Sequence, residues 1–224
     1  MTSFSDSKLV SSYAENASRM VPGMLDLPKM AAALLSEVVP NDAHILVLGA
    51  GGGLELRAFS EMQPGWGFDG VDPSAEMLQL ARTTLGHFES RTRLHQGYID
   101  SAPVGPFDGA SCLLVLHFLP KKQRLETLKA LQTRLKTGAP LVVVHHSFPN
   151  NGSEQDKWLG RCAAFAIASG MPATLANNNI PALKERLPVL SPEEDVELLA
   201  EAGFVGIELF YCAFTFKGWV AYKA

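Results

Sequence analysis

The chain has 224 residues, of which 47% are apolar and 19% are charged, and its formal net charge is −4. This composition is typical of one soluble globular domain, here residues 1–224, with a substantial core. The scattered Lys and Arg residues predict no nucleic-acid surface, and no apolar stretch reaches the ~20 residues that span a bilayer.

The cysteines give a second constraint on the class of protein. Cys112, Cys162 and Cys212 are far apart and odd in number, which disfavours a disulfide framework or a zinc site. The polar opening over residues 2–8 lacks the charged-then-apolar pattern of a signal peptide. We therefore expect a cytoplasmic protein without a metal.

The first half of the chain alternates short apolar runs with segments of helical periodicity. Two helices over 6–19 and 24–38 are expected to form an N-terminal cap, within residues 1–40. Strands are then predicted at 45–48, 67–71 and 92–95, with helices at 54–62 and 75–85 between them.

The second half continues this pattern and then interrupts it. A buried strand over 107–118, a helix over 121–136 and a strand over 141–145 precede an insertion at 149–190, which contains helical runs at 156–169 and 181–187. Ser191-Pro192-Glu193-Glu194 begins a helix that ends near Gly203, since Ser is a good N-cap and Pro is favoured at the first position. Strands at 205–211 and 215–222 close the chain.

Alternating strands and helices predict an α/β fold, a doubly wound and mostly parallel sheet with an antiparallel C-terminal hairpin. In such sheets ligands bind at the carboxyl ends of the strands, where the strand order reverses. The first two predicted strands end at Gly49 and Asp72, which places both residues at this edge. We expect the insertion to cover the substrate side of the same cleft.

Glycines follow the first strand. Gly49, Gly51 and Gly53 let the backbone approach a ligand closely, but the third glycine of a dinucleotide fingerprint would stand at Leu54. Asp72, about 20 residues further on, is placed to accept hydrogen bonds from the ribose hydroxyls of an adenosine. The alternative is that Asp72 only caps the helix that follows Ser74.

Together these segments resemble the class I S-adenosylmethionine (SAM)-dependent methyltransferases. The residues that carry the resemblance lie at 45–53, 70–78, 107–120 and 135–143. The resemblance implies a seven-stranded Rossmann-like sheet, SAM as methyl donor and S-adenosylhomocysteine (SAH) as product. The expected function is transfer of the methyl group to a small-molecule acceptor by in-line displacement at the sulfonium.

Three further segments are similar to the carboxy-SAM synthases of tRNA wobble-uridine modification: 19–23, 116–120 and 208–216. Those enzymes use an arginine on the helix before a Gly-Phe pair to bind the carboxylate of their ligand. Alignment through Gly203-Phe204 places Leu198 at that position. An apolar side chain cannot pair with this carboxylate, so we expect ordinary SAM chemistry.

The resemblance also assigns cofactor contacts. The first motif usually carries an acid where this chain has Val47. The ammonium group of the ligand must then contact backbone carbonyls, water or Glu55. The simpler interpretation of Glu55 is an acid that stabilises the first turn of its helix. Tyr98, Ile99 and Asp100 are placed near the adenine, although this stretch also reads as an ordinary loop. The expected cofactor-binding residues are Gly49, Ala50, Gly51, Gly53, Asp72, Pro73, Met77, Tyr98, Ile99, Asp100, Leu113 and Leu114.

The acceptor side is less determined by the sequence. His145 and His146 end the fifth strand, and one of them is a candidate base or polar anchor, unless both satisfy local backbone groups. His117 is expected to be structural. Tyr13, Arg19 and Trp158 are the expected substrate-binding residues. A homodimer, a non-catalytic SAM-binding protein and a carboxy-SAM synthase remain open, whereas Leu54 and the antiparallel finish disfavour a nicotinamide oxidoreductase.

Overall fold

In the computed structural model of the chain, the backbone is described for residues 13–224 and the side chains for residues 16–224. The part of the first predicted helix at 6–12 and the side chain of Tyr13 lie outside the described residues. The described helices are α1 (Tyr13–Met20), α2 (Leu27–Ser36), α3 (Leu54–Met62), α4 (Ala75–Leu85), α5 (Lys121–Arg134), α6 (Gly152–Ala168), α7 (Ala173–Arg186) and α8 (Pro192–Glu201).

Seven strands form one sheet in the order β3-β2-β1-β4-β5-β7-β6. All neighbours are parallel except β7, which pairs antiparallel with both β5 and β6. This confirms the predicted sheet and its C-terminal hairpin. The strands are β1 (His44–Leu48), β2 (Gly67–Asp72), β3 (Thr92–Gln96), β4 (Gly109–Leu113), β5 (Pro140–His146), β6 (Phe204–Ala213) and β7 (Phe216–Lys223).

The strand order reverses between β1 and β4. After β3 the chain crosses back to the other side of β1 and forms β4 there. The loops that follow β1 and β4 therefore run in opposite directions. Crevices for ligands form at such points because neither connecting loop covers the gap. The fold therefore places its binding cleft beside Gly49 and the residues that follow Leu113.

Helices cover both faces of the sheet because alternate side chains of each buried strand point to opposite faces. Ile45 and Val47 of β1 pack with α2 and α3, whereas Leu46 and Leu48 pack with α5 and α8. The N-terminal segment is held across the edge of the sheet, because the hydroxyl of Tyr211 donates to the Pro22 carbonyl at 2.5 Å. None of the helices in the described part of the chain has the length and apolar character needed to cross a bilayer.

Two predicted elements differ from the structure. The apolar run over 107–118 contains a strand at Gly109–Leu113 only, since Leu114 takes a positive φ of 61° and a 3₁₀ turn follows at Leu116–Phe118. The predicted helix over 181–187 extends to α7, with Pro181 in its interior. Pro181 and Asn177 are both exposed, so water can satisfy the carbonyl group that the proline leaves unpaired.

Candidate functional site

The glycine bend after β1 requires residues without side chains. A Cβ on Gly49 (φ 83°) would lie 2.1 Å from Cγ2 of Val115, so the ends of β1 and β4 can approach only at a glycine. Gly53 (φ 82°) is the N-cap of α3, and a Cβ there would lie 2.8 Å from Cα of Ala81 in α4. The bend therefore exposes its backbone to the cleft, and the first turn of α3 begins without a side-chain cap.

Asp72 links this bend to the start of α4. Its Oδ2 accepts from the Gly51 N–H and its Oδ1 from the Ser74 N–H, both at 2.9 Å. Each carboxylate oxygen retains a lone pair for a further donor, so helix capping and ribose binding are compatible. Burial raises the pKa of Asp72, and the hydrogen bonds from Ser74 and Gly51 offset part of the rise.

The adenine side lies next to Asp72. The Gly97 N–H donates to the Asp72 carbonyl at 3.0 Å, which brings the loop after β3 against the second strand. In this region Met77 and Ile99 are buried, whereas Tyr98 is 57% exposed and Pro73 and Asp100 are exposed. Met77 and Ile99 thus provide apolar surface, and the other three side chains are accessible to a ligand.

A narrow cavity of about 30 Å³ lies over the glycine bend. It has room for about two water-sized groups. Besides the glycine bend, it is lined by Met24, Leu27 and Pro28 of the N-terminal segment, by Leu113 and Leu114 at the end of β4, and by Glu55. Glu55 is only 8% exposed, and its Oε1 has no hydrogen-bond partner among the described residues.

The environment of Glu55 favours its neutral form. Burial raises its pKa to about 8, and the neighbouring Ser111 hydroxyl acts in the opposite direction. Val47, where the first motif usually carries an acid, is fully buried in the core and cannot contact a ligand. The first turn of α3 thus places a buried carboxyl group in the wall of this cavity, whereas β1 has none there.

A second and larger cavity of about 220 Å³ lies beyond Leu114. The N-terminal segment, the ends of β4 and β5, and α6 and α7 of the insertion all contribute to its wall, which is almost entirely apolar. No charged side chain of the described residues lines it. Residues from these elements include Val21, Leu114, Phe118, Ala163, Met171 and Ile180.

Two histidines provide polar groups in this wall. The Nδ1 of His146 lies 2.8 Å from the Thr215 hydroxyl, so its Nε2 is the ring nitrogen left for a ligand. The His146 N–H donates to Nδ1 of His117 at 3.4 Å. Burial and then the charge of His145 lower the pKa of His146 to about 3, while burial and then His146 lower that of His117. Both rings are therefore neutral at physiological pH.

His145 points to the other face of the sheet, as its neighbouring position in β5 requires. Its Nε2 lies 3.2 Å from Oδ2 of Asp195, whose Oδ1 accepts from Nη1 of Arg124 at 2.5 Å. All three side chains are at most 2% exposed. The side chain of His145 is not part of the wall of either cavity, so its expected contact with the acceptor is corrected to a structural contact.

Breaking this buried cluster is expected to lower stability and not cofactor binding. Burial alone would raise the pKa of Asp195, but His145 and then Arg124 hold it below its ordinary value. Asp195→Asn should lower the free energy of unfolding by about 3–5 kcal/mol at pH 7, measured by urea denaturation. The loss should shrink as the pH falls from the ordinary carboxyl pKa of 3.8 toward the lower folded-state pKa, because Asp195 of the unfolded chain takes up its proton first and wild type loses the stability of the ion pair. Glu197→Gln, on the exposed side of α8, is the matched control.

The remaining predicted substrate residues lie near the larger cavity but outside its wall. Trp158 packs with Phe148 and Val189, and its ring faces the guanidinium of Arg161 at 4.6 Å. Arg19 lies beside Gly170 in the turn between α6 and α7, and the residue after it, Met20, does line the cavity. Of the predicted site residues, Leu114 and His146 are therefore the ones that line the larger cavity.

The fold and the site define a class I methyltransferase architecture: a seven-stranded sheet with a reversed last strand, a glycine bend and an acid at the end of β2. Residues 46–141 match the family model described as a methyltransferase domain. Residues 46–141 accordingly carry a SAM-dependent methyltransferase domain, with SAM as its cofactor.

Individual relatives agree with this assignment. The chain is 26% identical over 222 residues to a carboxy-S-adenosyl-L-methionine synthase from Chromohalobacter salexigens, covering 97% of this chain and 82% of that protein. Among solved structures, it is similar to magnesium protoporphyrin IX methyltransferase from Synechocystis with bound SAH (TM-score 0.69, 14% identity, 99% and 96% coverage). Human N-acetylserotonin methyltransferase in complex with SAM gives a TM-score of 0.61 at 15% identity; the alignment covers all of this chain but 60% of that chain's length.

Proposed function

We propose that residues 1–224 form one methyltransferase domain that transfers a methyl group from SAM to a small, uncharged and largely apolar acceptor. The observation that carries the proposal is the position of Leu114, which borders both the glycine-bend cavity and the larger apolar cavity. A donor in the first and an acceptor in the second would meet at this residue. The segment 149–190 covers the acceptor side, because α6 and α7 line the larger cavity.

The residues of the chain act mainly by positioning. SAM supplies an activated methyl group, and an acceptor lone pair held in line with the S–CH₃ bond needs little further chemistry. Asp72 would bind the ribose hydroxyls, and the glycine bend would admit the amino-acid part of the cofactor. Leu113 and Leu114 would exclude water from the methyl group.

His146 is the proposed polar anchor of the acceptor, since a pKa of about 3 makes it too weak a base to carry the reaction. Its neutral imidazole faces the larger cavity and can accept a hydrogen bond at Nε2, and His117 stands beside it as a second polar contact. The apolar wall favours an uncharged acceptor, because a charged group would lose its hydration there without gaining a partner. The cytoplasm remains the proposed compartment, and the free thiols of Cys112, Cys162 and Cys212 support it.

We expect His146→Ala to lower the kcat for methyl transfer by about 10-fold, because the acceptor loses one orienting hydrogen bond, with SAH affinity unchanged. The control is His145→Gln, which alters the histidine on the opposite face of the same strand and is expected to affect stability alone. Equal losses of kcat in the two variants at matched folded fraction would contradict the assignment of His146.

The function is tested with SAM labelled in its methyl group and a panel of uncharged phenols, amines and thiols. The expected results are SAH as product and label in an apolar acceptor.

The second candidate function, carboxy-SAM synthesis, is favoured by the relative that matches 97% of the chain. It predicts a carboxylated sulfonium product instead, which mass spectrometry separates from SAH. Against it, Leu198 is 2% exposed and packs with Leu199 and Ala202 in the core.

A further inference from the structure

Glu55 is an acidic residue at a buried position, where apolar side chains are the usual occupants. It is the second residue of α3, where an exposed acid would stabilise the helix through its dipole. Here, however, the side chain is more than nine-tenths buried and lines the glycine-bend cavity. Because Oε1 has no partner among the described residues, helix stabilisation alone does not explain its position.

No cation among the described residues lines the cavity beside Glu55 to compensate its charge. The glycine bend, Met24, Leu27 and Pro28 line the same cavity, and none of them is ionisable. On β4, Ser111 is a neutral hydroxyl, and Cys112 is a thiol whose own pKa burial raises, so it stays protonated. A buried carboxylate without a partner is costly, which is why the protein alone holds Glu55 in its protonated form at neutral pH.

We propose that Glu55 binds the α-ammonium group of SAM and SAH, in place of the acid that Val47 replaces at the end of β1. This inference rests on the proposed function, since it concerns the amino-acid end of the same cofactor. The cavity has room for about two water-sized groups, and an ammonium group is of that size. A carboxylate there would gain both a hydrogen-bond donor and a compensating charge.

The contact would also orient the reaction. With Asp72 holding the ribose at one end and Glu55 the ammonium at the other, the sulfur between them is directed away from the bend. Leu113 and Leu114 line the same cavity, and Leu114 also lines the larger one. Glu55 is therefore a cofactor-binding residue that also fixes which way the methyl group points.

Proton release provides the first test. When the ammonium group binds, the carboxyl proton of Glu55 leaves to the buffer and the ligand keeps its own protons. Titration of the wild-type protein with SAH at pH 7, in two buffers of different ionisation enthalpy, should show about 0.5–1 proton released per ligand. The release should disappear at pH 9.5 and turn into proton uptake, because Glu55 is then already ionised and a ligand with a deprotonated amine must gain a proton to bind as the ammonium. No proton release at pH 7 would overturn the proposal.

The second test compares SAH with its deaminated analogue, which lacks the ammonium group. Wild type should prefer SAH by about 30-fold or more, and Glu55→Gln should bind the two within about threefold of each other. Glu61→Gln, on the exposed side of the same helix, is the matched control and should keep the wild-type preference. A preference that survives in Glu55→Gln would overturn the proposal.

The two proposals fail in different ways. If wild type binds neither SAH nor the analogue, the proposed function itself is wrong, and the role of Glu55 falls with it. If wild type binds SAH but does not distinguish it from the analogue, only the role of Glu55 is wrong. Should Glu55→Gln not fold, proton release by the wild-type protein decides the question alone.

Discussion

Asp72→Ala is expected to weaken SAH binding by about 100-fold or more. The substitution removes the acceptor for the ribose hydroxyls and also leaves the N–H groups of Gly51 and Ser74 without a partner. Hydrogen bonds to a carboxylate contribute roughly 1.5–3 kcal/mol each, so two of them account for a change of this size. The loss should appear in the affinity for SAH and much less in the kcat of the saturated enzyme.

Calorimetric titration with SAH and with its 2′-deoxy analogue measures this effect. Wild type should prefer SAH, because the 2′-hydroxyl has a partner in Asp72, and the variant should bind both ligands equally weakly. Asp108→Asn is the matched control, since Asp108 also accepts from a backbone N–H, that of His44 at 2.9 Å, but precedes β4 at the opposite end of the sheet. An unchanged SAH affinity in Asp72→Ala would contradict the placement of the ribose.

Ala163→Phe is expected to lower kcat/KM for methyl transfer by about 100-fold or more while leaving SAH affinity within about threefold. Ala163 is 7% exposed and lines the larger cavity, so an added phenyl ring would occupy the space proposed for the acceptor. The glycine bend is lined by other residues and should be unaffected. Because SAM and the acceptor are proposed to occupy different cavities, the variant should lower kcat/KM without weakening SAH binding.

The control for this variant is Ala164→Phe, which places the same ring on the exposed side of the same helix. Steady-state turnover with the acceptor found in the labelled-methyl assay and titration with SAH provide the two readouts. Unaltered turnover in Ala163→Phe, or a parallel loss of SAH affinity, would show that the larger cavity is not the acceptor site.

Local sequence signals were enough for the sheet and the donor side of the site. Apolar runs and helical spacing predicted each strand and most helices, because burial of those faces decides the local structure. The glycines and Asp72 were also readable, since a bend with positive φ and an acid at a strand end have few other uses together. Their contact at 2.9 Å agrees with the predicted cleft.

The sequence did not determine which neighbour of each pair faces the cleft. Strand alternation requires His145 and His146 to point to opposite faces of the sheet. Which histidine contacts Asp195, and which faces the cavity, depends on the face against which Arg124 and Asp195 pack. The sequence also assigned structural roles to Glu55 and His117, because it does not show that they border cavities. Their burial depends on the N-terminal segment and on the 3₁₀ turn after β4, contacts between residues distant in sequence.

A crystal structure of the protein with SAH bound would examine the donor pocket most directly. We expect both ribose hydroxyls within hydrogen-bonding distance of the Asp72 carboxylate and the sulfur atom facing Leu114, with the apolar space beyond it. Adenosine bound away from the glycines, or a sulfur atom directed to bulk solvent instead of that space, would contradict methyl transfer at this site.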